Sequence, residues 1–94
     1  DIGALTINNE SIEKVLSDCS DLIGHVHLSE PNLVTLGDLD TAHEFIHKVI
    51  AKLIPNQLAS IEMLATKEEP QLVSIERALS FAAKYYRPTQ DASI

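Results

Sequence analysis

With a single cysteine, Cys19, the chain can form no internal disulfide. Basic residues are also few: 7 Lys and Arg stand against 14 Asp and Glu, a net charge of −7 that repels a phosphate backbone. No nucleic acid partner is therefore expected. No apolar run approaches the ~20 residues of a membrane span, so no membrane partner is expected either. The chain opens at Asp1 with no initiator methionine and no signal-peptide pattern. It reads as part of a longer protein of the reducing cytoplasm.

What is present suffices for one core, since 94 residues at 45% hydrophobic suit a single compact domain. Its organising stretch is Gly24-His25-Val26-His27-Leu28-Ser29-Glu30, an apolar run stopped by Pro31, which predicts a buried strand. Residues i and i+2 of a strand share a face, so His25 and His27 project together while Val26 and Leu28 pack opposite. Two histidines at this spacing are more often hydrogen-bonded core residues than ligands. A second strand-like run, residues 58–64, sets Glu62 among apolar neighbours. A lone carboxylate there is costly unless it is paired or bound to a cation. The two runs together point to a metal site at the carboxyl end of the first strand.

In chain order, residues 1–7 read as a strand end running into the turn Asn8-Asn9. Ser11 then caps a helix whose stripe is Ile12, Val15, Leu16 and Cys19, and Cys19 reads as a small core residue. A loop over residues 31–40 leads to Thr41-Ala42-His43-Glu44, which offers a capping box for a helix with the stripe Ala42, Phe45, Ile46, Val49, Ile50 and Leu53. His43 and His47 lack the metalloprotease pattern and read as solvent-facing. The 58–64 strand, with its apolar and small residues, is expected to be covered on both faces. Thr66, Glu69 and Pro70 announce a last helix that buries Leu72, Ile75, Leu79 and Ala82 or Ala83 and ends before Pro88, with Tyr85 and Tyr86 completing the packing. Alternating strands and helices predict an α/β fold of parallel strands joined by right-handed crossovers. In such sheets ligands gather where strands end.

Several of these residues together resemble the sugar phosphate isomerase/epimerase group of xylose-isomerase-like TIM barrels, which includes ketose 3-epimerases. The resemblance rests on Asp1 opening a strand-end loop, Gly24-His25-Val26-His27 followed by Ser29-Glu30, the lead-in Gly37-Asp38-Leu39-Asp40, and Ser60-Ile61-Glu62. The intervals from Asp1 to His27 and from His27 to Glu62 are similar to those between three metal ligands of the family. The resemblance implies that residues 1–88 are the C-terminal units of a (β/α)8 barrel, from the end of strand six to helix eight, with 89–94 a frayed tail. It also implies that Asp1, His27 and Glu62 ligate a divalent metal, Mn²⁺, Mg²⁺, Co²⁺ or Zn²⁺, and that His25 and Glu30 support them from behind. Glu62 would also handle the proton, with a second metal-bound glutamate on an earlier strand that this chain does not contain.

The implied substrate is a sugar or sugar phosphate, and the exposed sheet edges of such a portion imply an oligomer. Two positions depart from the family. Ala4 stands where a substrate-binding His is expected, and Leu33 where an Arg is. Two other readings start from the same residues: an endonuclease-like, metal-dependent phosphodiesterase of the same superfamily, disfavoured by the acidic balance, and a small non-catalytic α/β interaction domain.

Overall fold

The computed structural model describes residues 1–86; the tail expected at 89–94 lies outside them. The described residues form four helices and a two-stranded parallel sheet: α1 (Ile2–Ile7), α2 (Ile12–Cys19), β1 (His25–Leu28), α3 (His43–Leu53), β2 (Leu58–Ile61) and α4 (Gln71–Tyr85), with 3₁₀ turns at Ser20–Leu22 and Pro31–Leu33. The α/β class and the parallel pairing follow the alternation of strand and helix periods. His25 pairs with Leu58, Val26 with Ala59, His27 with Ser60 and Leu28 with Ile61. Val26 and Leu28 are buried on the core face with Leu16, Ile46, Val49 and Ile54. The opposite face carries His25 and His27. No helix among the described residues is long and apolar enough to cross a membrane.

The strand end expected at residues 1–7 is a helix. A short apolar run cannot distinguish the two by period alone, and the local polar contacts favour the helix. The Asp1 side chain accepts from the Ala4 N–H, and the Thr6 hydroxyl donates to the Ile2 carbonyl. Ser11 does cap α2, accepting from the Lys14 N–H at 3.2 Å. The capping box at residues 41–44 does not form. The helix starts at His43 behind an uncapped Ala42, because the Thr41 hydroxyl donates instead to Glu30 Oε1 at 2.6 Å.

Two burial expectations are also reversed. β2 is exposed on both faces over most of its length: Leu58 is 75% exposed, Ala59 and Ser60, which point to opposite faces, are exposed too, and only Ile61 is partly covered. On α4 the buried residues are Ser74 and Ala78, with Phe81 and Ala82 partly covered, whereas Leu72 and Leu79 are 74% and 57% exposed. Small side chains let α4 approach the core closely. Phe81 lies against Gly37, whose φ of +96° and whose missing Cβ, which would stand 2.7 Å from Phe81 Cδ2, leave that space free. On α3, Ile46 and Val49 are buried as expected, but Phe45 is half-exposed.

Candidate metal centre

The ladder continues one step past the strands, with the Glu62 N–H donating to the Leu28 carbonyl at 3.0 Å. Because side chains alternate along a strand, this register returns Glu62 to the face that carries His25, His27 and Ser60. α1 lies against β1 and the 3₁₀ turn that follows it, and so brings Asp1 to the same end of the sheet. Asp1, His27 and Glu62 each offer a ligand atom, and the three atoms lie within 4.8 Å of one another. His27 Nδ1 is 3.4 Å from Glu62 Oε2, and both side chains are 42% exposed. Two ligands of one first-row ion, each about 2.0–2.2 Å from it, stand at most about 4.4 Å apart, and neighbouring ones about 3–3.6 Å. The cluster is thus wider than a closed site, and its side chains would have to move inward on an ion. Two carboxylates and an imidazole make an oxygen-rich set that fits Mn²⁺, Mg²⁺, Co²⁺ or Zn²⁺.

Of the two residues expected to support this set, His25 lies beside it. Its ring packs edge-on against His27 at 5.2 Å between centroids, and its Nε2 pairs with Ser60 Oγ at 2.8 Å. Glu30 does not join the cluster. Its carboxylate is turned into the interior and fully buried, where Oε1 accepts from Thr41 and Oε2 accepts from the Gly37 N–H at 2.8 Å and from His43 Nε2 at 2.8 Å. His43, expected to face solvent, is 2% exposed and joins Glu30 to the Tyr86 hydroxyl. One ring nitrogen of His43 thus meets Glu30 Oε2 and the other the Tyr86 hydroxyl, so the imidazole bridges the two inside the core. Burial, and then the nearby Glu30 charge, push the Tyr86 phenol above its ordinary range.

One contact to the cluster has no counterpart among the expected residues. Ser29 is fully buried, its hydroxyl donates to Asp1 Oδ1 at 2.8 Å, and its oxygen accepts from the Gly3 N–H at 2.8 Å. The alternation that pairs His25 with His27 runs on to Ser29, and that was the available signal. Its partner, the first turn of α1, was hidden by reading residues 1–7 as extended. Comparison with protein-family models, with curated proteins and with solved structures finds no match to this chain.

Proposed function

We propose that the chain is the C-terminal portion of a (β/α)8 barrel of the sugar phosphate isomerase/epimerase group, and that the full-length protein moves a proton on the carbon next to a ketose carbonyl. One observation carries the reading: Asp1, His27 and Glu62, far apart in sequence, converge at the carboxyl ends of two parallel strands. Barrel enzymes place their chemistry at that end. The resemblance of the surrounding motifs supports it, and the net charge of −7 argues against the phosphodiesterase alternative.

In this reading Asp1, His27 and Glu62 would hold a divalent cation. When bound, the cation supplies Lewis-acid polarisation of a substrate carbonyl. Glu62 accepts the proton from the neighbouring carbon, and a carboxylate on an earlier strand serves the opposite side of that carbon. The substrate is a sugar or sugar phosphate. Ala4 and Leu33 remove two of the family's polar contacts, so its substrate pocket differs from that of the ketose 3-epimerases.

The test is metal analysis together with exchange of substrate C–H for deuterium, on the full-length wild type and on Glu62→Gln, across a panel of ketoses and sugar phosphates. Glu62→Gln should keep most of the metal and lose about 10²–10⁴ of the exchange rate, the range for a general base. A wild type that exchanges no proton with or without metal, or a Gln variant as fast as wild type, sinks the reading.

A further inference from the structure

We propose that Ser29 is a positioning residue, which fixes the Asp1 carboxylate in the orientation that binds the cation. The inference rests on the metal reading of Asp1, His27 and Glu62. Of these three, His27 is held by β1 and Glu62 by the continued ladder beside it. Asp1 belongs to no strand and is exposed. Its orientation depends on two donors, the Ala4 N–H and the Ser29 hydroxyl, each at 2.8 Å and both on Oδ1. Two donors on one oxygen hold the carboxylate in place, and Oδ2, which takes no part in either bond, would remain for a cation.

Ser29 suits this task because its hydroxyl is engaged both as donor and as acceptor. Its hydroxyl has one hydrogen, and the Gly3 N–H bond to its oxygen turns that hydrogen toward Asp1. The approach is close: a Cβ on Gly3 would overlap the Glu30 carbonyl and stand 3.0 Å from Ser29 Oγ. Ser29 therefore couples the seating of α1 to the aim of the ligand. Residues that orient a metal ligand commonly cost 10–100-fold in affinity when removed.

The experiment titrates Co²⁺ into full-length wild type, Ser29→Ala, Ser29→Thr and Asp1→Asn well below their unfolding temperatures. It follows affinity and the visible Co²⁺ spectrum, and exchange of the Gly3 amide by NMR in the absence of metal. Ser29→Ala should bind about 10–100-fold more weakly, with a changed spectrum and faster Gly3 exchange. Ser29→Thr, which keeps the hydroxyl, should recover most of the affinity. Wild-type affinity and spectrum in Ser29→Ala overturn the positioning role, as does a loss that Ser29→Thr fails to restore while remaining folded. A wild type that binds no Co²⁺, or binds it as well after Asp1→Asn, overturns the metal reading itself and this inference with it.

Discussion

At the scale of residues, the two histidine pairs have opposite fates. His27 is half-exposed beside Glu62, whereas His43 is enclosed with Glu30 and Tyr86. If the proposed metal site is right, His27→Ala should lower metal content and activity together, with partial recovery in excess metal, because an ion there would lose a ligand outright. His25→Ala should cost less of both, since His25 contacts Ser60 and the edge of His27 only; metal analysis beside kinetics distinguishes them. His43→Ala should instead destabilise the fold by about 3–5 kcal/mol in denaturant titration, because it leaves a buried carboxylate without one of its partners. Tyr86 adds a pH dependence. Its folded-state value is raised above the ordinary 10.0, so its contribution is fully present below pH 10.0 and is lost as the pH rises through the folded value. Denaturation curves at increasing alkaline pH should show this loss in wild type and less of it in Tyr86→Phe. That Asp1, His27 and Glu62 come close together was anticipated through the family resemblance, strand alternation accounting for His27 alone, while Asp1 reaches them as a helix cap and not as the strand end that was expected. The pairing of Glu30 with His43 was not legible, because nothing local records that two residues thirteen positions apart meet in the interior.

Among the elements, β1, α2 and α3 were legible because a two-residue or a 3.6-residue period is enough to define each of them. α4 was only half legible: its end before Pro88 was visible, but it starts at Gln71 behind an uncapped Pro70 and not at the expected Thr66 cap, and its buried face was not visible. The stripe Leu72, Ile75, Leu79 is the stronger apolar signal, yet the core receives Ser74 and Ala78, where closeness of approach decides the packing. Ala78→Leu should therefore cost about 1–3 kcal/mol by overpacking, measurable as a lowered denaturation midpoint. The start of α4 is fixed by a surface tie, with Arg77 donating to Asp38 at 2.7 Å and to Glu69, which in turn accepts from Ser74 Oγ. The Arg77 hydrogen bond, more than that of Ser74, holds the Glu69 carboxyl below its ordinary range. Its contribution is thus present above pH 4.5, the ordinary value, and fades as the pH falls through the lowered one. Because the pair is exposed, the effect of Arg77→Leu on stability should shrink as salt is raised.

At the scale of the whole molecule, the described residues leave a sheet and a helix face without cover. The radius of gyration is 13.6 Å, against about 12 Å for a compact domain of this length. A two-stranded sheet is marginal by itself, and neither β1 nor β2 has a second neighbour among the described residues. Leu58, Leu72, Val73, Ile75 and Leu79 are all exposed. A barrel portion has these features, because preceding strands and helices would cover them. Separated from such cover, open edges and apolar faces associate with copies of themselves. The 94-residue chain alone should therefore self-associate, with a light-scattering mass that rises with concentration, and Leu72→Lys combined with Leu79→Lys should shift it toward monomer. If the chain is part of the barrel proposed above, the same pair of substitutions in the full-length protein should lower the unfolding temperature, since it would place two charges in a covered interface. A clean monomer of the chain at high concentration, together with a full-length protein indifferent to both lysines, would show that α4 faces solvent and that the barrel reading is wrong.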